Sequence, residues 1–353
     1  MRKQKILVIY TGGTFGMLES LEIPKLSSAA LKKRLLAKAP EMKKIADCDV
    51  EVMFNIDSCQ MSAFHWFALA ALIHEKQNNY DGVVVLHGTD TLSYSAAALS
   101  YLLSPSRIPI VITGAQKPLS TIRSDARINF ISALEIAAHA PKPLRNRVMV
   151  VFHDEVFLGS RVRKKSAFDF AAFESPRFPV LAKIGGKIMY QESIHHLPKL
   201  TRKKPLLVNF MEIETDKIIP RILSAQVTPE FCSSIFSEQM LTSLDGILLT
   251  LYSSGTAPTE RGDFTYFLER AQEHHTPIFA ITEREDAPNS LVTYEAGRTL
   301  VNHHVLWCND QTPEASFVKA WILHELNGKK SRKQHYQWLA KNWPKALSDE
   351  TTR

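Results

Sequence analysis

Cysteine is scarce in this chain. Its four thiols, Cys48, Cys59, Cys232 and Cys308, are scattered over 353 residues and form no CxxC pair. In a chain this long that excludes a disulfide framework and points to reduced thiols. Long apolar runs are missing as well. The basic start Met1-Arg2-Lys3-Gln4-Lys5 is followed only by Ile6-Leu7-Val8-Ile9-Tyr10 before glycines interrupt. That run is too short for the apolar region of a secretory signal, and no later run approaches the roughly 18 residues that span a bilayer. A cytoplasmic protein without a membrane partner is expected. Metal motifs are absent too. His195-His196, His274-His275 and His303-His304 are adjacent pairs without HExxH spacing, which reads as surface or loop histidine rather than a zinc site.

Apolar residues make up 45% of the chain, enough for a full core and, at this length, two domains. The net charge of +7 comes from 43 basic against 36 acidic residues. The excess gathers in Arg161–Lys165, Thr201–Lys204 and Lys329–Lys333. No aromatic stacking pattern or nucleic-acid motif accompanies these clusters, so they read as solvated loops and no nucleic-acid partner is expected.

Short β-branched runs alternate with helical patterns. Ile6–Tyr10, Val50–Asn55, Val83–His87, Ile110–Thr113 and Val148–Phe152 read as strands, mostly apolar without polar alternation, as in a sheet covered on both faces. Helices are expected near Ser27–Ala39, Ser62–Asn79, Thr91–Leu103 and Arg123–His139, with Phe64, Trp66, Phe67 and Leu72 facing the core. Periodicity fades from Gln191 to Pro205. Beyond it a smaller alternation resumes, with strands at Leu206–Phe210, Gly246–Leu251 and Ile278–Ile281 and helices near Pro229–Met240, Arg261–His274 and Glu314–Asn327. The tail His335–Trp343 is an amphipathic piece. The fold class is therefore α/β with two domains: a larger amino-terminal, mostly parallel sheet flanked by helices over 1–190, a linker over 191–205, and a smaller carboxyl-terminal α/β domain over 206–353.

Parallel sheets place ligands outside the carboxyl ends of their strands. The loops there carry Thr11-Gly12-Gly13-Thr14, then Asp57-Ser58-Cys59-Gln60, then His87-Gly88-Thr89-Asp90-Thr91, then Gly114-Ala115-Gln116. Hydroxyls and carboxylates thus converge on one rim. The first loop is a poor phosphate cradle. A dinucleotide fingerprint with Gly13 and Gly16 needs glycine where Thr11 stands, and Gly16 is followed by Met17 and Leu18 rather than the lysine of a P-loop. Thr11 or Thr14 either caps a tight turn or supplies a hydroxyl for chemistry. Thr89 or Asp90 either caps the following helix or belongs to a base network that deprotonates an alcohol nucleophile. Lys164 follows the fifth strand and is a candidate member of that network, although it sits among Arg161, Arg163 and Lys165.

At these residues the sequence resembles the bacterial-type L-asparaginase family, more closely its type I, cytoplasmic branch. The matching pieces are Thr11-Gly12-Gly13-Thr14, Asp57-Ser58, His87-Gly88-Thr89-Asp90-Thr91, Thr113-Gly114-Ala115-Gln116, Arg123-Ser124-Asp125 with Asn129, and Ala172-Phe173-Glu174-Ser175-Pro176. The resemblance implies that Thr14 is the nucleophile attacking the side-chain amide of asparagine, giving ammonia and an acyl-enzyme that water hydrolyses to aspartate. It assigns proton handling to Thr89, Asp90 and Lys164, and substrate binding to Gly13, Asp57, Ser58, Cys59, Gly88 and Ala115. It implies no metal or organic cofactor, a small amino-acid amide as substrate, and a homodimer or homotetramer in which the smaller domain closes a neighbour's site.

Departures from the family pattern are concentrated on the lid. The stretch after Gly16 lacks the family's tyrosine, and Glu22 stands before Ile23-Pro24 where that tyrosine is expected. Cys59 and Thr256 also replace other polar residues, and Arg163 stands where the type I branch often has a threonine tied to an allosteric site. Two other readings follow from these residues. One is an amidase or glutaminase of the same family, such as a component of a transfer-RNA-dependent amidotransferase, which normally has an extra amino-terminal domain that this sequence is not expected to carry. The other is a non-catalytic binding relative.

Overall fold

The computed structural model describes residues 2–17, 25–197, 200, 204–207, 220–282, 291–327, 330–343 and 347. The chain divides into two compact units, Met1–Val208 and Asn209–Arg353. Among the described residues no helix is long and apolar enough to cross a membrane.

The first unit is built on an eight-stranded sheet in the order β10-β9-β6-β5-β4-β3-β1-β2. β1 (Gln4–Gly12), β2 (Ala46–Ile56), β3 (Gly82–Leu86), β4 (Ile110–Thr113) and β5 (Val148–Phe152) form its parallel part. β6 (Glu155–Leu158), β9 (Ala182–Ile184) and β10 (Ile188–Tyr190) extend it antiparallel. β7 (Arg163–Lys164) and β8 (Phe173–Glu174) form a separate two-stranded ribbon.

The five parallel strands are those expected from their apolar runs, and four of them are fully buried over those runs. β2 differs: it is an edge strand, and most of it is only half-buried. The three antiparallel strands carry too short a pattern to be read from sequence.

Ile6, Val8 and Tyr10 pack on one face of the sheet against α1 (Ser28–Lys38), the short α2 (Met42–Ile45) and α5 (Ala126–His139). Leu7 and Ile9 alternate to the other face. That face is covered by α3 (Ala63–Lys76) and α4 (Leu92–Leu103), which pack on each other. The crossovers β3–α4–β4 and β4–α5–β5 step across the sheet in one direction, yet their helices lie on opposite faces. They therefore have opposite hand, against the strong preference for right-handed crossovers.

Helix starts follow local chemistry. Ser27 caps α1 by accepting from the Ala30 N–H at 3.2 Å, and Ser62 and His65 form a capping box at α3. One α3 expectation is corrected. Trp66 is buried and donates its indole N–H to Ser95 Oγ at 3.0 Å, but Phe64, two residues earlier, is 72% exposed. Residues 192–196 form a 3-10 turn whose Ile194 joins the first unit's core.

The second unit has a four-stranded parallel sheet ordered β11 (Ile222–Gln226), β12 (Gly246–Thr250), β13 (Ile278–Ile281), β14 (Leu306–Trp307). Its helices are α6 (Glu238–Ser243), α7 (Gly262–Glu273), α8 (Glu295–Asn302), α9 (Pro313–Asn327) and α10 (Arg332–Asn342). The helix expected at Pro229–Met240 is instead a loop, a 3-10 turn at Ser233–Ile235 and then α6. There Phe231 and Phe236 turn inward onto Phe264 and Phe267, with Phe236 and Phe267 ring centroids 4.5 Å apart. Burying both rings outweighs continuing the helix. The strand expected at Leu206–Phe210 falls largely outside the described residues.

Candidate active site

The loop after β1 is shaped by two glycines. The β1–β2 register slips after Tyr10, so that Gly12 pairs with Ile56, and Gly12 and Gly13 take φ of 120° and 78°. A Cβ on Gly12 would lie 2.0 Å from the Ile56 carbonyl oxygen, and one on Gly13 would lie 2.3 Å from Gly88 Cα. Only glycine permits that backbone and that approach. The chain at 13–14 is thereby laid against the chain at 88–89.

The two threonines of this loop differ. Thr11 is buried and donates to the Leu86 carbonyl at 3.1 Å, a structural bond. Thr14 is half-buried and opens the 3-10 turn Thr14–Gly16. Beneath that turn lies Tyr10, fully buried, with its hydroxyl 3.5 Å from the Gly13 carbonyl and its pKa pushed up to about 12 by burial.

The loop after β2 supplies Asp57, Ser58 and Cys59. Asp57 Oδ1 accepts from the Cys59 N–H at 3.1 Å. Ser58 is buried against Gly88: its Oγ accepts from the Asp90 N–H at 3.3 Å and its carbonyl accepts from the Thr91 hydroxyl at 2.7 Å. Cys59 is exposed, and desolvation with the neighbouring Asp57 carboxylate pushes its thiol pKa up.

The loop after β3 carries the densest chemistry. The Lys164 ammonium donates to Thr89 Oγ1 at 2.8 Å and to Asp90 Oδ1 at 2.7 Å. Thr89 in turn donates to Gln116 Oε1 at 3.2 Å. The Lys164 side chain is 18% exposed and that of Asp90 65%, so the group lies at the protein–solvent boundary. Lys164 is held by the β7–β8 ribbon, where it pairs with Phe173 while Arg163 pairs with Glu174. That register selects which cation of the 161–165 run reaches Thr89.

His87 is fully buried and donates from Nδ1 to the Gly88 carbonyl at 2.7 Å, which leaves Nε2 unprotonated. Burial lowers its pKa to about 4, so the ring is neutral. Because carbonyl and N–H of a trans peptide point in opposite directions, this bond aims the Thr89 N–H away from His87.

After β4, Ala115 is 1% exposed and belongs to the first core. Gln116 carries the polar contact here. Besides accepting from Thr89 it donates to the Ser166 and Asp169 carbonyls at 3.5 and 3.2 Å, tying the rim to the loop after Lys164. Its own backbone is clamped by Asp125, whose carboxylate accepts from the Gln116 and Lys117 N–H groups at 2.9 to 3.1 Å. Asn129 donates to Asp125 and to the Gly114 carbonyl and accepts from the His153 N–H. Gln116 as a bridge, and Asp125 with Asn129 as its support, are not deducible from spacing. The only hint was their place within matching motifs. Glu22, expected on the lid, lies outside the described residues.

The asparaginase amino-terminal family model matches residues 5–196. The chain is 30% identical over 345 residues to L-asparaginase 1 of Escherichia coli K12, covering 96% of this chain and 98% of that protein. It is 31% identical over 342 residues to one component of the glutamyl-tRNA(Gln) amidotransferase of Pyrococcus abyssi, covering 93% of this chain and 74% of that one. In structure it is similar to the thermostable L-asparaginase from Thermococcus kodakarensis, with a TM-score of 0.81, 27% identity, and 99% of each chain covered. This chain belongs to the asparaginase family.

Proposed function

We propose that the protein hydrolyses the side-chain amide of free asparagine to aspartate and ammonia. The observation that carries this reading is the Lys164 ammonium held between Thr89 Oγ1 and Asp90 Oδ1, on a loop whose Gly88 abuts the Gly13 preceding Thr14. Thr14 is the nucleophile: its Oγ1 attacks the amide carbon, the tetrahedral oxyanion collapses with loss of ammonia, and water then cleaves the resulting ester. Thr89, Lys164 and Asp90 carry the proton. A lysine that has lost its proton accepts one from the Thr89 hydroxyl, and the adjacent carboxylate stabilises the ammonium so formed. The Thr89 N–H, aimed away from His87, faces the developing oxyanion. Asp57, Ser58 and Asp90 hold the ammonium and carboxylate of the substrate, with Gly13, Gly88, Cys59 and the Ala115 backbone completing the walls. Glu22 on the lid is the residue through which substrate preference differs from the family pattern. The reaction requires no metal or organic cofactor. The assembly is a homodimer or homotetramer in the cytoplasm, with the region 206–353, after a linker at 191–205, as the smaller domain at the subunit contact.

Amide hydrolysis on a different carrier is the second reading, supported by the 31% identity to an amidotransferase component over most of this chain. Ammonia release measured with asparagine, glutamine and their D-isomers separates the two. Asparagine is the expected best substrate, and Thr14→Ala is expected to lose about a thousandfold in kcat. Turnover indifferent to that substitution would overturn the mechanism.

A further inference from the structure

Two sequence features stay outside this chemistry, the basic run at 329–333 and the pair His274-His275. In the second unit Lys330, Arg332 and His275 line one cavity of about 200 Å³ together with Asp245, His324 and His335. Asp245 immediately precedes β12, His324 projects from α9, and Arg332 and His335 come from the first turn of α10.

The fixed charges here are already arranged. Arg332 donates to the carbonyls of His274 at 2.8 Å, Leu241 at 2.7 Å, Thr242 at 3.2 Å and Leu244, and to the Thr276 hydroxyl at 2.7 Å. The cation is thus immobilised with its charge intact. Asp245 accepts from the Arg221 N–H at 2.9 Å and lies 3.9 Å from both the Arg221 and Arg332 guanidinium groups and 3.7 Å from His324 Nε2. In the cavity lining the cations Lys330 and Arg332 outnumber the single carboxylate of Asp245, which disfavours a metal ion and favours an anion.

The histidines define its chemistry. His335 is only 5% exposed, and among the described residues neither ring nitrogen has a hydrogen-bond partner. His324 Nδ1 is likewise buried and unpartnered, and the two rings meet edge to face at 4.7 Å. Leaving a buried polar group unpaired costs about 1–3 kcal/mol, so such groups are rare without a purpose. Burial and the nearby Lys330 and Arg332 hold His335 neutral, its pKa pushed down to about 3. A neutral imidazole presents one donor and one acceptor. A ligand lying between His335 and His324 must therefore accept from one ring and donate to the other, carry negative charge, and be small. Phosphate at neutral pH meets all three conditions, having anionic oxygens and at least one P–OH. Sulfate and carboxylates have no hydrogen to donate.

We propose that this cavity is a phosphate-binding site, in which His335 and His324 contact the P–OH and an anionic oxygen, Lys330 supplies a mobile cation, and Arg332 a fixed one. The Lys330 ammonium donates to Asn327 Oδ1 at 2.8 Å and lies over the Trp338 ring, which keeps it at the cavity with N–H groups to spare. Isothermal titration of the full chain at pH 7 with sodium phosphate, against sodium sulfate and sodium chloride at equal ionic strength, tests this. Saturable binding of one phosphate per chain is expected, with sulfate at least tenfold weaker. His335→Phe, which keeps the buried volume, and Lys330→Gln, at an exposed position, should each weaken phosphate binding at least tenfold while ammonia release from asparagine without phosphate stays unchanged. No saturable heat, equal affinity for sulfate, or undiminished affinity in either variant would overturn the proposal.

Discussion

On the rim of the first sheet, Lys164, Asp90 and Gln116 are at least partly open to water, Thr89 is buried beside them, and the four answer one another's charge and hydrogen bonds. In the second unit, His335 is closed off from water and His324 half-buried, and among the described residues both ring nitrogens of His335 and Nδ1 of His324 are left unanswered. The contrast shows two ways of placing polar groups. At the rim, an ammonium and a carboxylate pair directly at the solvent boundary, at little desolvation cost. In the cavity, desolvation strips the proton from the imidazoles and leaves them to be completed by something else. His87 belongs to the second type although it lies beneath the first site: it is buried, neutral, and among the described residues bonded only through Nδ1.

Substitutions can break this contrast at graded points. The largest effect is expected for Gly13→Ala. It adds a methyl 2.3 Å from Gly88 Cα at a φ that side chains rarely adopt. A loss of about 4 kcal/mol or more in unfolding free energy, read by denaturant titration together with loss of ammonia release, is the expected result. Next comes the pH dependence that His87 imposes. Its folded pKa lies near 4, below the 6.5 of an unfolded histidine, so the unfolded chain binds more protons between those values. Stability is therefore full above about pH 6.5 and falls as pH drops towards 4, by about 3 kcal/mol in the limit. Calorimetry from pH 4 to 8 should show that slope, and His87→Gln should reduce it, with the remainder set by the depressed pKa values of His335 and His324.

Lys164→Met tests pairing at the rim directly. It leaves Asp90 charged without its partner, and kcat for asparagine should fall about a hundredfold with a changed pH profile, while the melting temperature stays within a few degrees. Asp125→Ala sits one layer further out and releases the backbone of Gln116 and Lys117. About 2 kcal/mol of stability should be lost, with kcat reduced more than KM rises, because in the proposed mechanism the groups it aligns act on the reacting centre. Equal losses in Lys164→Met and Asp125→Ala would show that the rim is held as one unit rather than in layers.

Much of this arrangement was legible in the residues alone. The five parallel strands announced themselves as uninterrupted apolar runs, because burial on both faces removes the need for polar alternation. The polar loops after them followed from the rule that such sheets bind at their carboxyl ends. Lys164 was harder, since five neighbouring positions hold four cations and nothing in their order distinguishes one. The distinction lies in a two-residue ribbon with Phe173 and Glu174, a pairing across the chain that no local pattern encodes. Gln116 and Asp125 were obscure for the same reason: their partners are set by the meeting of separate loops. Phe64 looked like a core residue by spacing, yet whether such a side chain is covered depends on what packs over that turn of the helix. The basic run at 329–333 looked like a single solvated stretch, whereas Arg332 turns inward to five acceptors on other segments.

The bare contact of Gly13 with Gly88 has a consequence for how such a protein can change. Main chain rests on main chain there, so the spacing between the two hydroxyl-bearing loops depends on no rotamer and absorbs no drift in side-chain size. Variation in specificity has to enter elsewhere, through the walls around the pair, while this seam stays as it is or the catalytic alignment is lost whole.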